Sequence, residues 1–206
     1  RRQRQMCIRD RIVTLGGDCS VSVVPFTYLA AKYGGDVAMV WIDAHPDITL
    51  PGDPYPGYHA MAVTACMGHG DAKIVAELPA AFDPSKILFV GLRNWERGEI
   101  KARQHQYGIK HLTPEEVAAD SDALRAWLKS CGASKVVVHF DMDVLDPAEI
   151  VAAVGTDPDG MKIEAVIRVI NDIAAEKELV GLTVAEPMPR TAIRLRDMLG
   201  RLPLLE

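Results

Sequence analysis

A chain of 206 residues, 49% apolar and 25% charged, has the balance of a single globular domain with a full core. Its net charge of -5 argues against a nucleic-acid or membrane-surface partner, and no apolar run approaches the roughly 18 residues that a membrane span needs. Cys7, Cys19, Cys66 and Cys131 form no CxxC pair and no dense framework, and no stretch reads as a signal peptide, so the expectation is a reduced, cytoplasmic protein.

Arg1 to Asp10 is basic, lacks periodicity and reads as a non-native segment, leaving residues 11–206 as one domain. The chain then enters directly on a strand, Arg11 to Leu15, so a fragment lacking earlier elements is expected. Gly16-Gly17-Asp18-Cys19-Ser20 follows, with glycines for a tight turn. Ser20 is expected to cap a helix running through Leu29 and Ala30, with Pro25 near its first turn. No Gly-Lys-Ser/Thr follows, so this is no phosphate loop. Cys19 sits at a strand-to-helix junction, as a small buried thiol, a metal ligand or a reactive thiolate.

Asp36 to Ile42 is the second strand, continuously apolar from Val37, as a strand covered on both faces should be, and it runs into Asp43-Ala44-His45-Pro46-Asp47. A Pro- and Gly-rich loop, Thr49 to Tyr58, is expected to wall a pocket, and His59 opens a short helix. Lys86 to Gly91, with Ile87-Leu88-Phe89-Val90, is a third strand. A polar helix near Glu96 to Gln106 and a short strand, Gly108 to His111, come next. Thr113-Pro114-Glu115-Glu116 is a capping box. Ser121 is expected to cap the helix that carries Leu124, Trp127 and Leu128. Lys135 to Phe140 is another strand, ending in Asp141-Met142-Asp143, and Asp146 before Pro147 shapes the turn. Lys162 to Lys177 has an apolar helical stripe, Leu179 to Ala185 is a last strand ending at Glu186, and a helix from Thr191 to Leu199 closes the chain.

Alternation of strands and helices predicts an α/β fold, three layers around a parallel sheet, and ligands of such sheets bind beyond the carboxyl ends of the strands. Cys19, Asp43, His45, Asp47, Asp141, Asp143 and Glu186 all emerge at that edge. In a strand, residues two apart share a face. If the extended conformation persists, Asp43, His45 and Asp47 point one way, and Asp141 and Asp143 do so on another strand. Converging carboxylates repel unless a cation neutralises them. Oxygen-rich ligation with one imidazole suits Mn²⁺ or Mg²⁺ better than structural zinc. Two metals about 3.5–4 Å apart can hold hydroxide as a nucleophile near neutral pH. His59 could shuttle a proton to a leaving amine, and Glu186 could pair with a cationic substrate.

Gly-Gly-Asp-Cys-Ser, Asp-Ala-His-Pro-Asp, His59-Ala60-Met61, Asp-Met-Asp-Val-Leu-Asp-Pro and Glu186 resemble, in order, the motifs of the arginase/agmatinase (ureohydrolase) family, from about Ile12 to Leu205. The resemblance implies a three-layer α/β/α domain assembled as trimers or hexamers. It also implies a dinuclear manganese centre that hydrolyses a C–N bond of a guanidino or formimino substrate. One metal would be held by Cys19, Asp43, Asp47 and Asp141, the other by Asp43, His45, Asp141 and Asp143, with Asp43 and Asp141 bridging. His59 would be the proton shuttle, and Glu186 would bind the guanidinium.

The sequence departs from the family pattern at several points. Cys19 replaces the usual histidine, and a soft thiolate matches manganese poorly. Ala60 replaces a glycine, and Pro54 to Tyr58 replaces a Ser-Gly-Asn segment that reads the substrate's amino-acid end. His139 stands where a small residue is usual. A catalytically impaired family member with an incomplete metal site, acting in binding or assembly, is therefore the alternative.

Overall fold

The computed structural model describes residues 11–188 and 192–205, with side chains in the last stretch from residue 195 onward. Residues 1–10 lie outside it, as do Pro189 and Thr191, the latter the expected first residue of the closing helix.

Six strands form one sheet in the order β1-β6-β5-β2-β3-β4, and every pairing is parallel. They are β1 (Ile12–Leu15), β2 (Val37–Ile42), β3 (Ile87–Val90), β4 (Lys110–Leu112), β5 (Lys135–Asp141) and β6 (Glu178–Ala185). The helices are α1 (Val23–Lys32), α2 (Ala62–Cys66), α3 (Ala72–Val75), α4 (Gly98–Tyr107), α5 (Asp122–Ser130), α6 (Ile163–Glu176) and α7 (Ala192–Leu199). The short α3 had no signal in the apolar periodicity, because it buries no residue.

Every residue of β2 is buried. Ala38, Val40 and Ile42 pack on one face with Leu124 and Leu128 of α5 and Val166 and Ile170 of α6. Met39 and Trp41 pack on the other with Phe26 and Leu29 of α1 and Val63 of α2. Each face of the sheet thus has its own core, which is why the strands read as unbroken apolar runs rather than alternating ones. The result is the three-layer α/β arrangement expected from the alternation of elements.

The connections fix where a ligand can bind. From β2 the chain steps outward to β3 and β4, and from β5 it steps outward the other way to β6. The neighbours β2 and β5 therefore diverge in direction of winding, and the crevice beyond their carboxyl ends is the topological switch point of the sheet. Asp43 follows β2, and Asp141 ends β5.

Two expected helix caps are corrected. Asp18, not Ser20, caps the turn after β1, accepting from the Ser20 N–H at 2.9 Å. That turn is a 3-10 segment, Cys19–Ser22, and α1 starts only at Val23. Similarly, the Ser121 hydroxyl is buried without a partner, and Asp120 accepts the Asp122 N–H at 3.0 Å. Ser121 nonetheless stands at the N-cap position of α5. The capping box at Thr113 forms as expected, with the Thr113 N–H donating to Glu116 at 2.8 Å.

Gly91 follows β3 at φ +83°, and a Cβ there would collide with Val144 Cγ2 and lie 3.1 Å from the Met161 sulfur. Gly91→Ala should combine left-handed strain with overpacking against the loop after β5. The expected destabilisation is about 2–4 kcal/mol. Calorimetry should then show a melting temperature lower by about 4–16 °C, at 2–4 °C per kcal/mol for a domain of this size.

Candidate metal centre

The backbone does not stay extended past β2. The chain bends over residues 43–45, and Asp47 takes φ +49°. The expectation that Asp43, His45 and Asp47 share a strand face is thereby corrected, yet the carboxylates still converge. All eight residues singled out in the sequence line one cavity of about 630 Å³: Cys19, Asp43, His45, Asp47, His59, Asp141, Asp143 and Glu186.

Two groups of donor atoms stand out, each with all its atoms within 4.8 Å of one another. One is Cys19, Asp43, His139 and Asp141, and the other is Asp43, His45 and Asp143. Asp43 belongs to both. The Cys19 thiol donates to Asp141 Oδ2 at 2.9 Å. His45 Nδ1 lies 3.0 Å from Asp143 Oδ2 and 3.5 Å from Asp43 Oδ1. Asp47 joins neither group, although its Oδ2 is buried without a partner.

Asp43 and Asp141 are each 1% exposed. Burial, then the charge of Asp143, pushes the Asp43 carboxyl up to about 7. Burial, then Asp43 and Asp143, holds Asp141 well above the usual carboxylate range, and burial followed by Asp43 does the same to Asp47. Burial, then Asp47 and Asp141, also raises the Cys19 thiol. Burial opposes a charge on His45, but contacts with Asp143 and Asp43 prevail and lift its pKa to about 12. For Asp143 burial is likewise outweighed by His45, and its carboxyl stays low. His45 is the imidazole that pairs with these carboxylates, on Asp143 and Asp43. Without a metal the cluster must hold protons to balance its charge, which is the behaviour of a cation site.

Several supporting residues gave no clear signal in the sequence. Trp41 donates from its indole N–H to Asp43 Oδ2 at 3.0 Å and stacks on His139, with ring centroids 3.5 Å apart and planes at 8°. Ser22 Oγ lies 2.8 Å from His139 Nδ1. Arg93 donates to the backbone oxygens of Asp143 and Asp157 at 3.1 and 2.8 Å, pinning together the loops after β3 and β5. Asp157 lies 3.2 Å from His45 Nε2 and accepts from the Asn94 amide at 2.7 Å. Only the register of β2 on β5, which sets Trp41 against His139, exposes the first of these relations.

His59 and Glu186 lie at the mouth rather than in the donor groups. His59 Nε2 is 3.2 Å from the Tyr55 hydroxyl, so the Pro- and Gly-rich loop does form a wall. Glu186 is half-buried at φ +56° and donates its N–H to Gly17 O at 2.8 Å. Burial, then Asp143, raises its carboxyl. Asp47 and Glu186 both hold left-handed backbones that non-glycine residues seldom adopt, and such strain collects at functional sites.

The switch-point position and the acidic donor set define an open parallel α/β protein with a candidate divalent-metal centre. A model of the arginase family matches residues 3–197. The chain is 27% identical to an Entamoeba histolytica arginase over 190 residues, covering 89% of this chain and 64% of that protein. It is 30% identical over 180 residues to a Streptomyces lavendulae N(omega)-hydroxy-L-arginine amidinohydrolase, covering 84% and 59%. The crystal structure of the E. histolytica arginase in complex with L-ornithine superposes with a TM-score of 0.83 at 22% identity, covering 94% of this chain and 69% of that one. This chain belongs to the arginase family. It spans about half to two thirds of the length of the curated relatives it matches.

Proposed function

We propose that this protein hydrolyses a C–N bond of a linear guanidino or formimino compound at a centre holding two divalent metal ions, with manganese as the family's metal. The observation that carries the reading is Asp43, a fully buried carboxylate shared by two separate donor groups at the switch point of an arginase-family fold. Asp43, His45 and Asp143 would hold one ion, and Cys19, Asp43 and Asp141 would face the other, with Asp47 close by. When bound, such a pair acts as a Lewis acid and makes a water nucleophilic near neutral pH.

The remaining roles belong to the chain itself. Glu186, on a strained backbone at the cavity rim, accepts hydrogen bonds from the substrate cation and orients its carbon toward the metal carboxylates. His59 passes a proton to the departing nitrogen, with Tyr55 holding its Nε2 side. The loop over residues 49–58 screens the cavity from bulk water.

Glu186→Gln should raise KM roughly 10–100-fold with a smaller change in kcat, the loss of a charge-assisted hydrogen bond in ground and transition state alike. Steady-state kinetics on the preferred substrate checks this. The reading itself is tested by incubating the manganese-loaded protein with a panel of guanidino and formimino compounds and scoring urea, formamide and ammonia. Release of one of these at the expense of one compound supports it. No release from any compound by protein shown to hold two metals contradicts it.

A further inference from the structure

The residue at the family's first ligand position is a thiol, and the structure offers what else would complete a site around it. His139 sits on β5 two residues before Asp141, fully buried. Its Nδ1 is taken by Ser22 at 2.8 Å, whereas its Nε2 is buried with no hydrogen-bond partner. That free nitrogen lies 3.8 Å from Asp43 Oδ2, and the His139 ring belongs with Cys19, Asp43 and Asp141 to the donor group whose ligand atoms lie within 4.8 Å of one another. At 3.8 Å the contact with Asp43 is too long for a hydrogen bond. A buried nitrogen left in that state is costly, and Trp41 stacking keeps the ring from turning elsewhere.

We propose that His139 is a ligand of the first metal position, so that this chain builds that position from Cys19, Asp43, Asp141 and His139 and takes zinc there rather than manganese. The inference deepens the functional reading above and rests on it for the second, oxygen-rich position. The turn after β1 thus supplies a thiol and strand β5 an imidazole to one donor group. Ligating histidines have their other ring nitrogen fixed by an outer partner, which here is Ser22. One thiolate, one imidazole and two carboxylates make a four-donor set of the kind zinc accepts, and sulfur disfavours manganese. Cys19, Asp43 and Asp141 line the cavity while His139 does not, so His139 closes the site from the sheet side.

Cobalt(II) is the probe, since it occupies zinc sites and reports thiolate ligation by a charge-transfer band in the near ultraviolet. Metal-stripped protein titrated with Co²⁺ should show that band with one of two equivalents. Cys19→Ser should abolish it. His139→Gln should weaken the same equivalent by more than the roughly 10–100-fold that an outer-shell partner is worth, leaving the other equivalent in place. Cys19→His should shift the zinc-to-manganese affinity ratio toward manganese. X-ray absorption at the zinc edge of the unmodified protein gives the same answer without a variant: sulfur and imidazole scattering from one zinc per chain is expected.

A His139→Gln protein with unchanged cobalt affinity and spectrum, or a zinc edge without sulfur, overturns the proposal. The two readings fail separately. Guanidino hydrolysis by a protein lacking thiolate ligation would overturn this site and keep the function, whereas a sulfur-bearing zinc without any hydrolysis would do the reverse.

Discussion

Asp141→Asn is expected to lower hydrolysis more than about 100-fold while making the metal-free protein more stable. The first effect follows from Asp141's place in the first donor group, since even outer-shell partners of a metal are worth roughly 10–100-fold. The second follows from its burial beside Asp43 and Asp143, which repel it. Asparagine keeps an oxygen for the Asp143 N–H, now accepted by Asp141 at 2.8 Å, and removes the charge. A gain of about 1–2 kcal/mol in chelator is expected, because a buried carboxyl that must stay protonated in the fold costs stability at neutral pH and asparagine carries no such cost. The sign with pH is definite. A carboxyl whose folded pKa is raised binds more protons folded than unfolded, so stability falls as pH rises above the ordinary aspartate value, and for Asp43 it goes on falling to about 7. Denaturation of the metal-free protein should therefore become easier from about pH 4 to pH 7, and Asp141→Asn should flatten that slope. A variant that is less stable in chelator at neutral pH would contradict the charge argument.

Metal removal has the next largest effect. Ions that bind only the folded state add RT ln(1 + [L]/Kd), about 2.7 kcal/mol at a hundred times Kd. At 2–4 °C per kcal/mol, each ion should raise the melting temperature by about 5–11 °C. Chelator should reverse the shift, and metal should restore it. Asp43→Asn should lose the response to both ions, because Asp43 alone sits in both donor groups. His45→Asn should keep part of it. Scanning calorimetry with and without chelator reads all three proteins. A melting temperature indifferent to metal in the unmodified chain would leave the acidic cluster unexplained as a cation site.

The sequence made the sheet and its acidic edge legible for a simple reason. Strands buried on both faces have to be apolar throughout, so carboxylates placed where they end are conspicuous. Asp43, His45, Asp141 and Asp143 were found that way, and they meet across the switch point of β2 and β5. What escaped depended on contacts between elements. His139, within the run Val137-Val138-His139-Phe140, is marked in the sequence only as standing where a small residue is usual. Its role emerges only from the register that sets it against Trp41 and from the turn that brings Ser22 to its ring. Arg93 and Asp157 are ordinary loop charges until the loops after β3 and β5 are seen to share them. The cap at Ser20 was misplaced because the turn starts earlier, on Asp18, and Ser121 stands at the N-cap position without a side-chain bond. The left-handed backbones of Asp47 and Glu186 leave no mark on residue type, since the usual glycine is absent at both.

The central claim is that the carboxyl edge between β2 and β5 binds divalent metal through Asp43. Anomalous scattering from crystals grown with manganese and zinc, measured at each metal's absorption edge, addresses it most directly. Two peaks flanking the Asp43 carboxylate, about 3.5–4 Å apart as in dinuclear hydrolytic sites, are expected, one beside Cys19 and Asp141 and the other beside His45 and Asp143. Absence of any peak at Asp43 from metal-saturated crystals would contradict it.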